Sequence, residues 1–487
     1  LREEVVTEEN LMAAGIQSGL QVFLYYLPNC IFFPPVLWSR QVFGGEMKIY
    51  YYRDAEPALE KILNRTIKID PSAATAVTNI VEDVKKHGDK ALLKYTRRFS
   101  HVTLAPHELI VKQDYCRKCL EQADRELLKI IKEAADNIRK FHEFQKQESW
   151  LREFPDHVKL GQRVTPIDRV GVYVPGGKAF YPSTLLMNVI PAQIAGVKEI
   201  VVATPPELFY KNPLLGAVLA MLNLKEIYLA GGAQGIAALA FGTETIPRVD
   251  KIVGPGNLYV SLAKREVFGY VDIDMIAGPS EVCVLADGHA NPEWVALDLL
   301  SQAEHRTGYE AAILVTNSET LAEKVGEQIY YHLRFSSYKE KIEKILDEYG
   351  AIIVVDDMMM GAEVVNRIAP EHLEICSKEY DRLLKAIRHA GAIFVGEYSS
   401  EPVGDYWAGP NHVLPTGGTA RFFSPLGVYD FVKRSSIISY SKAAIMRHAD
   451  KIAKFAISED LHFHGKAVTA RVAEIRGMEA AERQMRK

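Results

Sequence analysis

Chemistry in this 487-residue sequence is concentrated in a few short segments. In LLSQAEHRTG (299–308), Gln302 and His305 stand three apart, about 5–6 Å from each other at Cβ on one helical face. An imidazole nitrogen and an amide oxygen both coordinate divalent metals. The competing reading is a helix C-terminus where His305 favours the macrodipole. RIAPEHLEI (367–375) sets Glu371 beside His372, two groups suited to general acid–base work near neutral pH. Pro370-Glu371-His372 also reads as the first three positions of a surface helix. The glycine- and proline-rich segment VGDYWAGPNHVLPTGGTAR (403–421) carries Asp405 and His412, and SEDLHFHGKAVTAR (458–471) adds Glu459, His462 and His464. On a helix His462 and His464 point to widely separated sides, so at most one then points into a shared site.

Two other patterns carry little. Cys116-Arg-Lys-Cys119 is a CxxC with no second pair, at the start of a helical stretch. Gly254-Pro-Gly256-Asn257 is the nearest approach to a dinucleotide fingerprint, and no GxGxxG occurs.

The elements that must position these residues are legible from periodicity. From about 55 to 150 apolar residues recur at three- and four-residue steps, with Gly88 as a stop, so this part is helical. Between 170 and 256 short β-rich runs alternate with helices: VGVYVPGG, EIVVATPP, EIYLAGGAQ and KIVGPGN. A second series follows with VCVLAD (282–287), AAILVT (311–316), AIIVVDD (351–357) and AIFVG (392–396). Such alternation implies parallel sheets with helices on both faces. The expected fold class is α/β, with two doubly wound, incompletely Rossmann-like lobes and small helical N- and C-terminal appendages. Ligands should lie outside the carboxyl ends of the strands, where VPGG, GGAQ, GPGN and AGPSE fall. Trp294, Ala296, Leu297, Leu299 and Leu300 are expected to face the sheet from the helix that ends near His305. From about 427 the chain reads as helical with no strand series.

Composition is that of a globular chain, 48 % hydrophobic and 25 % charged, which excludes a disordered or collagen-like protein. A net charge of −4 gives no reason to expect nucleic acid. Five cysteines, few and odd in number, suit a reducing cytoplasm. Residues 1–46 begin with the wrong charge for a secretory signal, and Pro28, Asn29, Pro34 and Pro35 break their apolar stretch below spanning length, so no membrane is expected. They read as an over-long gene start or a fusion remnant ahead of Met47, with a real anchor or partner arm as the alternative.

From about Lys48 to Arg471 the sequence resembles the zinc-containing, NAD-dependent histidinol dehydrogenases. The strongest block is DIDMIAGPSEVCVLADGHANPEWVALDLLSQAEH (272–305), joined by APEHLEI, GDYWAGPNHVLPTGGTARFFSPLGVYDF and VGVYVPGGKAFYPS. Carried over residue by residue, the resemblance implies zinc ligation by Gln302, His305, Asp405 and His464, and Glu371 and His372 as the catalytic pair. It implies substrate contacts at Ser280, His412 and Glu459 beside the ligands and the pair. Cofactor contacts fall on Tyr173, Gln234 and Asn257. Arg306-Thr307 and Trp407-Ala408-Gly409-Pro410 depart from the family pattern without removing a ligand or catalytic group.

The resemblance further implies a cytoplasmic homodimer whose C-terminal tail reaches into its partner's site. It implies an extension at 1–46, an arm at 47–67 and a main lobe of 68–172 with 280–426. A cofactor lobe over 173–279 and a dimerisation appendage over 427–487 complete the division. The implied reaction takes L-histidinol through L-histidinal to L-histidine with two NAD+, the final step of histidine biosynthesis. Three rivals are an enzyme of the same kind acting on another small alcohol, a zinc hydrolase, and a metal-binding scaffold. Glu459 and His464 speak against the first, the cofactor turns against the second, and the acid–base set against the third.

Overall fold

In a computed structural model, residues 47–65, 71–176, 182–305 and 307–486 are described. The expectations for residues 1–46, for 177–181 of the 170–183 motif and for Arg306 lie outside the described residues.

In chain order the strands are β1 (Lys48–Tyr51), β2 (Trp150–Phe154), β3 (Val158–Pro166), β4 (Arg169–Tyr173), β5 (Glu199–Thr204), β6 (Glu226–Leu229) and β7 (Lys251–Val253). They continue with β8 (Asp272–Ile273), β9 (Glu281–Ala286), β10 (Ala311–Thr316), β11 (Gly350–Val354), β12 (His372–Cys376), β13 (Ala392–Val395) and β14 (Val432–Ser439). Two open parallel sheets result, one ordered β6-β5-β4-β7-β8 and one ordered β1-β11-β10-β9-β12-β13. A third, antiparallel sheet is ordered β14-β3-β2.

Burial on both faces explains the continuous apolar runs. β9 (EVCVLA) and β10 (AAILVT) are buried at every position. Along β9, Val282, Val284 and Ala286 enter one core while Cys283 and Leu285 enter the other. The five-stranded sheet is flanked in the same way, with Val202 on one side and Val201 and Ala203 on the other.

Several local expectations differ from the structure. His372 begins strand β12, between β9 and β13, so Pro370-Glu371-His372 is not a helix start. Pairing on both sides overrides the proline's helix-start signal. β14 precedes the two C-terminal helices in a stretch expected to be helical, and its mostly exposed residues lack the apolar alternation that marks a strand. On helix Pro292–Ala303, Trp294 and Leu297 are exposed, and Val295, Ala296, Leu299, Gln302 and Ala303 are buried.

The helices over 71–143, grouped by sequence with the 280–426 lobe, pack on helices of the five-stranded sheet. Pro71–Ser100, bent at Gly88 (φ +51°), lies against Gly232–Phe241 and Leu258–Val267. Gln113–Gln122 lies against Pro213–Met221, and Arg125–Glu143 against Pro182–Ala195. The arm contributes β1, which pairs in parallel with β11.

Candidate active site

The Glu371–His372 pair sits where the segment Pro370–Glu371 enters β12, at the amino edge of the six-stranded sheet. This differs from the expected carboxyl-edge location. The segment 274–280 connects the end of β8 to the start of β9, so AGPSE delivers Ser280 and Glu281 to that amino edge. The loop after β13 ties the two sheets together here. Asn411 Nδ2 donates to Met187 O (2.7 Å), Gly278 N–H to Thr416 Oγ1 (2.5 Å), and Gly417 N–H to Glu281 Oε1 (3.0 Å).

Glu281, which sequence reasoning missed, organises the pair. Its Oε1 accepts the Glu371 N–H (3.2 Å), its own N–H donates to Glu371 Oε2 (3.0 Å), and its carbonyl accepts from His372 Nδ1 (3.1 Å). Its other carboxylate oxygen is ion-paired with Arg65, and both side chains are buried. Arg65 comes from the end of the arm, where it also donates to Ile62 O, and burial pulls its pKa down to about 10. The only available sequence signal was a charged residue opening an otherwise apolar strand.

Fixing Nδ1 as the donor leaves His372 Nε2 with its lone pair, buried and without a partner among the described residues. It lies 4.0 Å from Asp405 Oδ1, and His412 Nδ1 lies 3.7 Å from the same oxygen. Burial lowers the His372 pKa to about 4, against the opposing pull of Asp405, so the ring is neutral at pH 7. Burial lowers His412 as well. The Glu371 carboxyl is pushed well above the usual range, by burial first and then by Glu401 and Asp405. The Ser280 hydroxyl acts in the opposite sense through a hydrogen bond. His305 lies near enough to act electrostatically on both His372 and His412.

Asp405 is carried on a single π-helical turn, Gly404–Ala408. Asn137 Nδ2 holds that turn by donating to Trp407 O (3.0 Å). Gly409 follows with φ +108°, and a Cβ there would meet Asn137 O at 2.6 Å, so only glycine fits. The Trp407–Pro410 departure therefore sits against helix Arg125–Glu143 and leaves Asp405 in the site.

A metal can be tested against the donors present. Gln302 is fully buried, and neither amide atom has a partner among the described residues. A buried side chain left so is suited to a ligand bound against it. Gln302, His305 and Asp405 offer oxygen and nitrogen donors of the kind zinc takes. No three His, Cys, Asp or Glu side chains among the described residues form a metal cluster on their own. The remaining expected ligand, His464, is exposed, as is Glu459. They lie at the turn between helices Lys442–Ser458 and His462–Met485, which pack mainly on each other. The structure does not bring these two to the Glu371 site of the same chain.

The expected cofactor residues fall on the carboxyl edge of the five-stranded sheet. Tyr173, at the end of β4, accepts the Gly232 N–H (3.0 Å) through its hydroxyl, and burial raises its pKa to about 12. Gln234, buried, lies in the first turn of helix Gly232–Phe241 after β6. Asn257 caps helix Leu258–Val267 after β7 by accepting the Val260 N–H (3.2 Å). Gly254, at φ +112°, packs against the Tyr173 carbonyl with no room for a Cβ.

The family model for histidinol dehydrogenase matches residues 63–472. This chain belongs to the histidinol dehydrogenase family. It is 54 % identical over 403 residues to the histidinol dehydrogenase of Bacillus licheniformis, covering 82 % of this chain and 93 % of that protein. With that of Bacillus subtilis it shares 52 % over 402 residues, with the same coverage. The crystal structure of histidinol dehydrogenase from Elizabethkingia anophelis superposes with a TM-score of 0.84 at 36 % identity. That alignment covers 89 % of this chain and all of the other. The open-sheet α/β architecture is thus that of a histidinol dehydrogenase. The family match takes in the five-stranded sheet, the six-stranded sheet apart from β1, and the turn bearing Glu459 and His464. Among the described residues no helix is long and apolar enough to cross a membrane.

Proposed function

We propose that this protein oxidises L-histidinol through L-histidinal to L-histidine, consuming two NAD+, as the last step of histidine biosynthesis. One observation carries the mechanism: a neutral imidazole with its Nδ1–H committed to Glu281 and its Nε2 free, beside a carboxyl of raised pKa. In the first half-reaction His372 Nε2 takes the hydroxyl proton as hydride leaves the carbinol carbon for the nicotinamide. In the second, water adds to the aldehyde, Glu371 accepts its proton, and the hydrate gives up a second hydride. Loss of the acid's own proton completes the balance of three protons and two NADH.

Gln302, His305 and Asp405 would hold zinc together with His464 of the partner subunit. When bound, zinc supplies a template that fixes the substrate's imidazole and amine. Ser280 and His412 would orient the substrate around the pair, with Glu459 of the partner subunit. The cofactor would lie along the edge marked by Tyr173, Gln234 and Asn257, where two helix N-termini favour its pyrophosphate.

Exposure of the 459–464 turn among apolar side chains, with Phe463 81 % exposed, supports a homodimer. The four described cysteines are free, which supports a cytoplasmic setting. The test is NADH yield on L-histidinol: a ratio near two per substrate consumed is expected. A ratio of one, or none, would exclude the two-step reading.

A further inference from the structure

We propose that Glu207 reads the adenosine ribose of the cofactor through its 2′-hydroxyl, and so makes the site prefer NAD+ over its 2′-phosphorylated form. The proposal rests on the reading that the cofactor lies along the Tyr173–Gln234–Asn257 edge.

The sheet order β6-β5-β4-β7-β8 puts a topological switch between β4 and β7, because β5 and β6 step away to one side and β7 and β8 to the other. A dinucleotide laid across such a switch reaches the end of the second strand with its adenosine half, where an acidic residue accepts from the ribose. The second strand of this sheet is β5. It ends at Thr204, and Glu207 follows Pro205 and Pro206.

Pro205 is wedged between neighbouring turns. A Cβ on Gly176, after β4, would meet its ring at 3.0 Å, and one on Gly231, after β6, at 2.7 Å. The turns after β4, β5 and β6 are therefore packed together around Pro205, two residues before Glu207. Glu207 Oε2 is buried and has no hydrogen-bond partner among the described residues, and Thr204 Oγ1 at the same strand end shares that condition. The Glu207 charge is close enough to Tyr173 to help keep the phenol protonated.

A carboxylate here accepts from a ribose hydroxyl and repels a phosphate. The described residues of these turns, 174–176, 204–207, 230–234 and 254–257, contain no Lys or Arg to neutralise one. Both effects act in the same direction.

The test is the ratio of kcat/KM for NAD+ to that for NADP+, with L-histidinol saturating. Losing a hydrogen bond to a charged group costs roughly tenfold or more in binding. Glu207→Gln and Glu207→Ser should lower the ratio by at least about that factor, chiefly through KM for NAD+, with KM for histidinol unmoved. Glu207→Asp should retain part of the preference. Quenching of protein fluorescence by NAD+ gives the same comparison without turnover, and a thermal melt confirms that each variant is folded. Folded variants with an unchanged ratio overturn the proposal.

Gln234→Ala and Asn257→Ala test the underlying reading separately. If both raise KM for NAD+ while the Glu207 variants keep the ratio, the cofactor edge stands and Glu207 is not its reader. If neither changes KM for NAD+ but the Glu207 variants shift the ratio, Glu207 stands and the edge must be redrawn around it.

Discussion

Glu281 and Glu371 are braced against each other: the backbone N–H of each donates to the carboxylate of the other, at 3.0 and 3.2 Å. The brace joins the start of β9 to the residue before β12, which are neighbours in the sheet but 90 positions apart in the chain. Arg65 holds the outer oxygen of Glu281, so a residue of the N-terminal arm fixes the position of the central carboxyl. Glu371 is thereby kept beside His372 although burial disfavours its charge.

Removing Glu281 should be costly. Glu281→Ala leaves the Arg65 guanidinium buried without its counter-charge and frees the N–H groups of Glu371 and Gly417. A loss of about 3–5 kcal/mol is expected from breaking a buried pair, measured as a lower urea midpoint. Arg65→Met combined with Glu281→Ala should lose less than the sum of the two single changes, because the pair is one unit. Additive losses would show that the two side chains are not coupled.

His372 and Glu371 should divide the half-reactions unequally. His372→Ala removes the base for the alcohol proton, so histidinol oxidation should fall by roughly 10²–10⁴-fold. Glu371→Gln keeps the imidazole and its Glu281 contact, so the first hydride transfer should survive better than the second, and histidinal should become detectable. Single-turnover NADH formation from histidinol and from histidinal, for each variant, reads the difference. Equal losses throughout would mean that the pair acts as one group.

Stability should fall on acidification through His142. This residue is fully buried on helix Arg125–Glu143, its Nδ1 donating to Ile138 O (2.8 Å), and burial lowers its pKa. The native ring resists a proton that the unfolded chain accepts near pH 6.5, so stability is complete above that value and declines as pH falls below it. His142→Gln removes the titration. Its urea midpoint should change less between pH 7 and pH 5.5 than that of the parent, and an unchanged slope would assign the acid sensitivity to other groups.

What the sequence conveyed depended on whether a residue's role was local. Strands such as β9 and β10 are buried on both faces, so their composition alone declares them. Glu371 and His372 stood out because two reactive types are adjacent, yet the proline before them suggested a helix. Their strand character comes from β9 and β13, elements remote in the chain. Glu281 and Arg65 escaped for the same reason, since a single charge at a strand end has no local pattern to distinguish an anchor from a surface residue. β14 was hidden by its exposure: a strand in a mostly solvent-facing antiparallel sheet need not alternate apolar and polar residues. Trp294 and Leu297 misled in the opposite direction, because an apolar residue on a helix is not obliged to face the core.

Sharing of the site between two chains gives the last prediction. Asp405 and His305 lie near His372 in one chain, with Gln302 one turn before His305, while Glu459 and His464 lie exposed on the C-terminal hairpin. The homodimer reading brings that hairpin to the partner's site. His464→Ala and Glu371→Ala homodimers should each be nearly inactive, the first with weakened zinc retention and the second with zinc retained. In a mixed dimer, one site combines Glu371 from the first chain with His464 from the second and is fully intact, while the other carries both changes. Mixing the two variants under conditions that exchange subunits should therefore restore activity at one of the two sites of each mixed dimer, while total zinc stays at the level the two homodimers set together. Complementation cannot arise if each site is built from a single chain, because every site would then retain one lesion. Absence of recovery in dimers shown to be mixed, for example by differential tagging, would overturn the shared site and mean that each site is built from one chain alone.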